Sequence, residues 1–154
     1  MFIIIMGCGR VGARVASQLS RAGHEVTILD VNSSSFRRLD PDFSGLTLLG
    51  NGIDVDVLRR AGIERADAFA AVTQGDNRNI MASQVARHIF GVPKVVSRIY
   101  DPLRQETFEL LGIQTLSPTV IGADAFLEIL DPGVLAESRN AKAQRTDNPA
   151  VAAQ

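Results

Sequence analysis

The chain has 154 residues with 16 Lys and Arg against 17 Asp and Glu, and 45% of its residues are hydrophobic. This balance is typical of one ordinary globular domain, and no polybasic block indicates binding to nucleic acid or to anionic lipid. The single cysteine excludes an intramolecular disulfide and a cysteine-rich zinc site, and no apolar run reaches the roughly 18 residues of a membrane helix, so we expect a cytoplasmic protein without direct membrane insertion.

A glycine-rich turn near the start of the chain is the strongest motif. The apolar run Phe2 to Met6 predicts a buried strand, and the sequence GCGRVG at residues 7–12 leads from it into a helical pattern that stops at Gly23. In such a turn the first glycine permits a tight bend, the second lets the backbone approach a pyrophosphate, and the third lets the helix pack closely on the strand. The free amides at the start of the helix then face the phosphates.

The next predicted strand, Glu25 to Asp30, ends in a carboxylate. A carboxylate at this place can accept hydrogen bonds from both ribose hydroxyls of an adenosine and repels a 2'-phosphate, which favours NAD(H) or an adenine nucleotide over NADP(H). Asp30 could instead only cap the following turn. The order of strand, glycine turn, helix, strand and acid within about 30 residues favours the ligand role.

Strands and helices continue to alternate along the chain. A short helix capped by Asn32 or Ser33, a helix capped by Asp54, and helices bearing Ile80 and Phe108 separate four more predicted strands, at 46–49, 68–72, 94–99 and 113–116, and a last helix runs from Ser117 to Leu130. This alternation predicts a Rossmann-like α/β fold, a doubly wound, mostly parallel six-stranded sheet in a single domain. We assign residues 1–133 to that domain and expect residues 134–154, which carry few large apolar side chains, to form a flexible tail or a frayed helix.

Charged and polar residues lie after the first and third predicted strands and near the end of the fifth, at the sheet edge where the ligand of such a fold binds. Arg10 can form charge-assisted bonds to a phosphate, and the alternative is a solvated arginine in the first helical turn. Asn51 and Gly52 lie either beside an adenine ring or in an ordinary loop. Arg98 ends an apolar strand, where an unpaired charge is rare, so we expect a phosphate or an acidic neighbour as its partner.

A polar cluster is predicted after the fourth strand, formed by Thr73, Asp76, Asn77 and Asn79. It can contact the second half of a dinucleotide or a neighbouring subunit, and Asp76 as a helix cap is an equally good alternative.

The two histidines and the cysteine do not indicate catalysis. Neither His24 nor His88 has a recognisable partner at motif spacing, and we expect both at the surface. Cys8, between two motif glycines, is best explained as a small apolar filler.

These motifs, together with the segments around Gly50, Val72 and Arg98, closely resemble the Trk-N or RCK N-terminal domain family over about residues 2 to 130. Domains of this family are cytosolic regulators of potassium channels and transporters that bind NAD(H), ATP or ADP and act through dimers assembled into rings. By position, the resemblance implies a phosphate site at the glycine loop, a ribose contact at Asp30, and further ligand contacts at Thr73 and Arg98. Some relatives use a glutamate near a divalent metal where this chain has Thr119, so no metal site is predicted.

We therefore expect a nucleotide-sensing regulatory domain, at the inner membrane through a potassium channel or transporter subunit, that forms a homodimer or a higher ring. The alternative is an NAD-dependent oxidoreductase or its nucleotide-binding fragment, which the lack of a credible acid–base group disfavours. We expect the dimer to use an apolar face of the last helix. No catalytic residue is predicted, and the predicted cofactor-binding residues are Gly7, Cys8, Gly9, Arg10, Val11, Gly12, Asp30, Val31, Asn51, Gly52, Thr73 and Arg98.

Overall fold

The computed structural model describes residues 1–146, with the side chains of all of them except residues 106, 110 and 141–146. Strands and helices alternate along this part of the chain, as the sequence predicts. The elements are β1 (Phe2–Met6), α1 (Arg10–Arg21), β2 (Glu25–Asp30), a 3-10 helix (Ser33–Arg38), β3 (Leu46–Leu49), α2 (Val55–Arg60), a 3-10 turn (Ile63–Arg65), β4 (Ala68–Ala71), α3 (Asp76–Gln84) with a π-helical end (Val85–Ile89), β5 (Lys94–Arg98), a 3-10 turn (Pro102–Arg104), α4 (Gln105–Leu110), β6 (Gln114–Leu116), α5 (Pro118–Leu130) and α6 (Pro132–Thr146).

The six strands form one sheet in the order β3-β2-β1-β4-β5-β6, and every neighbouring pair is parallel. The Rossmann-like fold predicted from the sequence is thus confirmed, with a sheet that is wholly parallel. The strand order reverses between β1 and β4, because the chain runs outward from β1 to β3 and then returns to pair β4 with β1. Ligands of such sheets bind at this switch point, beyond the carboxyl ends of the strands.

The centre of the core is β1, whose five residues are all buried. Alternate side chains point to opposite faces of a strand, so β1 contributes to two separate apolar clusters. Ile4 packs in the larger cluster with Leu58 of α2, and Ile5 packs in the smaller cluster with Ala16 of α1. Burial of a side chain of this size stabilises the fold by about 1.5–3 kcal/mol. Because β1 is packed on both of its faces, the core fixes the position at which the glycine turn begins.

Two of the predicted caps, at Asn32 and Asp54, are present where the sequence places them. Asn32 and Asp54 accept hydrogen bonds from backbone amides at the start of their helices, and Asp101 does the same one residue before Pro102. Three strand ends differ from the prediction by one residue, because β4 ends at Ala71, β5 ends at Arg98 and β6 begins at Gln114.

The chain divides into two compact units, and the second begins at Pro118. In this second unit α5 and α6 pack against each other, and Asp124 pairs with Arg139 at 3.9 Å. The helix over Pro132–Thr146 lies in the segment for which the sequence predicts a tail or frayed helix, and residues 147–154 of that segment lie outside the described residues. Among residues 1–146, no helix combines the length and the apolarity that a membrane crossing requires.

Candidate functional site

The carboxyl ends of the strands open into a cleft of about 1000 Å³ in the first unit. Another cavity, of about 680 Å³, lies beside the amino end of β2, away from the glycine turn. The larger cleft brings together ten of the twelve residues that the sequence predicts to bind a cofactor. These are Gly7, Gly9, Arg10, Val11, Asp30, Val31, Asn51, Gly52, Thr73 and Arg98.

The three motif glycines occupy different surroundings. Gly7 has φ +107°, which favours glycine, and a side chain there would meet the Thr73 backbone nitrogen at 3.0 Å. A methyl group on Gly12 would overlap the Gly7 carbonyl oxygen and approach Val72 Cγ2 at 3.0 Å, so α1 packs directly on the turn. Around Gly9, in contrast, no atom lies within 4 Å of the added carbon. This open space is where the backbone can approach a pyrophosphate.

The start of α1 adds positive charge beside Gly9. Gly9 is the N-cap and offers no side chain to the free amides of the first turn, which contains no acidic residue. These amides carry the positive end of the helix dipole. Arg10 follows in the sequence, is exposed, and forms no ion pair within the described part of the chain. A negatively charged ligand would therefore be stabilised here by both the helix and the guanidinium.

Asp30 also lines the cleft, and its carboxylate joins the glycine loop to the turn after β2. Its Oδ2 accepts a hydrogen bond from the Cys8 amide at 2.7 Å, and its Oδ1 accepts one from the Asn32 amide at 2.8 Å. The carboxylate thus holds the following turn, which was the alternative role, while it also lines the cleft. Each carboxylate oxygen can accept a second hydrogen bond, so both roles are compatible.

Arg98 projects from the end of β5 and lacks the partner that the sequence predicts. Its guanidinium carbon lies 5.7 Å from the centroid of the Tyr100 ring. Among the described residues its Nε is buried without a hydrogen-bond partner, and no acidic side chain pairs with it. Of the two expected partners, a phosphate or an acidic neighbour, the acidic neighbour is absent from this part of the structure. A buried donor without a partner is costly. The Arg98 side chain also lines the cleft, where its positive charge can meet an anionic ligand.

The cleft has further lining residues outside the predicted set, and among them are the long polar side chains of Arg38, Arg78 and Tyr100. Tyr100 comes two residues after the end of β5, a position that could have identified it, whereas Arg38 and Arg78 lie on the 3-10 helix after β2 and on α3. With Arg10 and Arg98 the lining holds four arginines, and its only carboxylate is Asp30. The surplus of positive charge indicates a ligand with more than one negative group.

The other two predicted residues, Cys8 and Gly12, are buried and do not line the cleft. Cys8 Sγ donates a hydrogen bond to the Ser35 carbonyl oxygen at 3.4 Å, which agrees with a packing role. Gly12 contributes by close packing, as described above.

Burial, together with the negative charge of Asp30, raises the pKa of the Cys8 thiol from 9.0 to about 11, and Arg38 acts in the opposite direction. Since the thiol ionises first in the unfolded chain, its contribution to stability is complete below pH 9 and is lost as the pH rises through about 11. We expect a thiol reagent at pH 8 to modify Cys8 at least about 100-fold more slowly in the native protein than in urea. Equal rates in stopped-flow measurements would contradict the buried position.

The cluster predicted after the fourth strand divides into two parts. Thr73 lines the cleft, whereas Asp76, Asn77 and Asn79 do not. Asp76 is not the predicted side-chain cap of its own helix either, because its carboxylate binds amides of the loop after β5.

The histidines lie outside the cleft, with His88 exposed and His24 partly exposed. Within the described residues no group of three His, Cys, Asp or Glu side chains is arranged to hold a metal ion.

Comparison with known families identifies the fold and its sequence class. The family profile named TrkA-N domain matches residues 3–118, which comprise all residues of the sheet except Phe2, and the whole lining of the cleft. The chain belongs to the TrkA-N domain family. A relative, the Trk system potassium uptake protein TrkA of Streptomyces coelicolor, is 52% identical to this TrkA-N chain over 132 residues. The match covers 86% of the chain and 59% of that relative, so the chain spans little more than half of the relative's length.

Solved structures share the fold at lower identity. The Kef C-terminal domain of Shewanella denitrificans, described in an AMP-bound form, has a TM-score of 0.75 at 22% identity, with 95% of this chain and 93% of that one covered. The GsuK structure bound to ADP has a TM-score of 0.72 at 24% identity and covers 84% of this chain and 34% of its own. The GsuK channel bound to NAD has a TM-score of 0.70 at 23% identity, with 91% and 24% covered.

Proposed function

We propose that this TrkA-N domain is a cytoplasmic nucleotide sensor that regulates potassium uptake through a membrane channel or transporter subunit. The observation that carries the proposal is the cleft at the switch point of the sheet, which is lined by Gly9 with open space beside it, by the start of an uncapped helix, and by Arg98, which has no acidic partner among the described residues. These features fit a ligand with a pyrophosphate. Relatives named for the Trk potassium uptake system, including one at 52% identity, support the regulatory role.

The ligand that we propose is NAD(H) or an adenine nucleotide, ATP or ADP. Asp30 offers its carboxylate to a ribose, and the glycine loop with Arg10 offers donors to the phosphates. Structures of the same fold that are described as bound to AMP, ADP or NAD support this ligand class. The proposed contacts are the ten lining residues named above, while Cys8 and Gly12 shape the loop. We propose no metal ion.

A regulator accounts for the cleft better than an oxidoreductase does. Hydride transfer needs a substrate placed beside the cofactor and a group that moves a proton. The titratable side chains that line the cleft are Asp30, Tyr100 and the four arginines, and Asp30 already holds two backbone amides. We therefore propose that occupancy of the cleft is a signal, and that the ligand shifts an assembly between two states by binding one of them more tightly.

Calorimetric titration with NADH, NAD, ATP and ADP tests the sensor. We expect at least one of them to bind, and Arg10→Gln to weaken that binding about tenfold, because a charge-assisted hydrogen bond contributes about 1.5–3 kcal/mol. Arg14→Gln is the matched control, since Arg14 is exposed on the same helix but outside the cleft, and we expect less than about a twofold change. Absence of binding by all four compounds would refute the sensor.

We also propose a homodimer or a higher ring that uses the apolar face of α5. Ile121, Phe126 and Ile129 of this helix are 52%, 70% and 82% exposed, which is unusual for large apolar side chains. A dimer should therefore appear in light scattering at tens of micromolar, and Phe126→Glu should convert it to a monomer by placing a charge in the interface. A monomeric wild-type chain at this concentration would count against the proposed assembly.

A further inference from the structure

Two side chains in the first turn of α3 bridge strand ends that the sheet itself leaves apart. The pairing of β4 with β5 stops at Ala71 and Ser97. Beyond this point the Val72 amide bonds to Met6 on β1, and the Ile99 amide bonds to Leu116 on β6. The segment that follows β4 thus stays bonded to β1, and the segment that follows β5 stays bonded to β6. These two segments, which we call the β4 and β5 exits, are not paired with each other.

Asn79 bridges the two exits, and its side-chain amide accepts two hydrogen bonds and donates two. It is completely buried, and its Oδ1 accepts hydrogen bonds from the Thr73 amide at 3.0 Å and the Thr73 hydroxyl at 2.6 Å. Its Nδ2 donates to the carbonyl oxygens of Thr73 and Arg98, each at 3.0 Å. One side chain therefore fixes the backbone of two residues that line opposite sides of the gap.

Asp76, three residues earlier on the same turn, holds the next part of the β5 exit. Its Oδ1 accepts a hydrogen bond from the Tyr100 amide at 2.7 Å, and its Oδ2 accepts one from the Asp101 amide at 3.1 Å. Neither Asp76 nor Asn79 lines the cleft, although Thr73, Arg98 and Tyr100 all do. Every bond that these two side chains form beyond their own helix goes to the β4 or β5 exit.

We infer that Asp76 and Asn79 are positioning residues of the nucleotide site, which set the spacing between Thr73 and the Arg98 guanidinium before the ligand binds. The inference rests on the proposed function. A side chain that is held in its binding geometry in advance loses less entropy when the ligand arrives. The glycine loop and Asp30 are held by other bonds, to the Leu29 carbonyl and the Cys8 amide, so the β4–β5 wall can be loosened separately.

The inference predicts a selective loss of affinity. With the ribose at Asp30 and the first phosphate at the glycine loop, as proposed above, we expect a second phosphate to lie nearer the wall of the same cleft that carries Arg98. In calorimetric titrations with AMP and ADP, Asp76→Ala should weaken ADP binding about tenfold and AMP binding less than about twofold. Asp76→Asn keeps one acceptor oxygen and should recover part of the ADP affinity. Asn79→Ala should give the same selectivity, and Asp76, which is only partly buried, provides the test if the Asn79 variant does not fold.

The control is Asp67→Ala, which removes a similar carboxylate–amide bond, to the Phe2 amide at 2.7 Å, at the other end of the sheet. It should leave the ratio of ADP to AMP affinity unchanged. If a folded Asp76→Ala variant loses affinity for AMP and ADP by the same factor, or for neither, the positioning role is wrong while the sensor stands. If the wild-type chain binds neither compound nor any other adenine nucleotide or NAD(H), both proposals fail.

Discussion

Gly12→Ala will lower the free energy of unfolding by about 3 kcal/mol or more, the largest stability change that we expect from a single methyl group in this chain. The methyl carbon would overlap the Gly7 carbonyl oxygen and press on Val72 Cγ2 at 3.0 Å. Neither neighbour can rotate away cheaply, because one is backbone and the other is a branched side chain packed in the core cluster on the α1 face. Urea denaturation followed by far-ultraviolet circular dichroism measures the change.

Relief of the overlap requires α1 to move away from β1. That movement separates Ala13 and Ala16 from the strand and creates a gap in a core in which both are buried. Gly122→Ala, in α5, is the matched control, because no atom lies within 4 Å of the added carbon there and alanine favours a helix more than glycine does. If Gly12→Ala unfolded at the same urea concentration as the wild type, the close contact between α1 and the turn would be disproved.

The sheet could be predicted from the sequence because each strand is a short apolar run followed by a turn signal and a helical pattern. The run Phe2 to Met6 is apolar at every position, as a strand covered on both faces must be, and the structure buries all five residues. Strand ends were less predictable. Val72 continues the apolar run of β4, but the next backbone amide is bound by the side chain of Asn79 and not by a neighbouring strand.

The cleft could be predicted in part, because the ends of parallel strands meet at one edge wherever the connections are right-handed helical crossovers. That rule alone is enough to place the glycine motif and Asp30 in the cleft. Arg38 and Arg78 required the positions of a 3-10 helix and of the first turn of α3, where no motif fixes the residue type. For Asp76 and Asn79 the sequence allows a ligand or subunit contact, or for Asp76 a helix cap, because it shows that they are polar but not that the Tyr100 amide and the Arg98 carbonyl oxygen need partners.

The excess of positive charge in the cleft also depends on which arginines form ion pairs, and the sequence alone does not show this. Outside the cleft Arg21 pairs with Asp40 and Asp42, and Arg65 pairs with Glu25. Arg10 and Arg98 have no such acidic partner in the described part of the chain. The net charge of -1 therefore conceals a local excess of positive charge at the cleft that we propose as the nucleotide site.

Gly9→Ala should change stability little and weaken nucleotide binding, in contrast to Gly12→Ala, although the substitution is the same and the two positions are three residues apart. No atom lies within 4 Å of a carbon added to Gly9, and its backbone, at φ -77° and ψ -170°, is open to any residue. Alanine restricts the unfolded chain but is a poorer N-cap than glycine, so we expect the free energy of unfolding to change by less than about 1 kcal/mol.

Nucleotide binding should nevertheless fall at least about 30-fold in the Gly9→Ala variant. The methyl group would fill the space in which a pyrophosphate approaches the free amides of α1, and the ligand would lose its contacts with the helix start and with Arg10 together. Calorimetry on the folded variant measures this loss, and urea denaturation of the same sample excludes unfolding as its cause. A stable variant with unchanged affinity would show that the phosphates bind elsewhere in the cleft. A loss of binding without a loss of stability would show that the open space beside Gly9 serves the ligand, because the fold is equally stable when that space is filled.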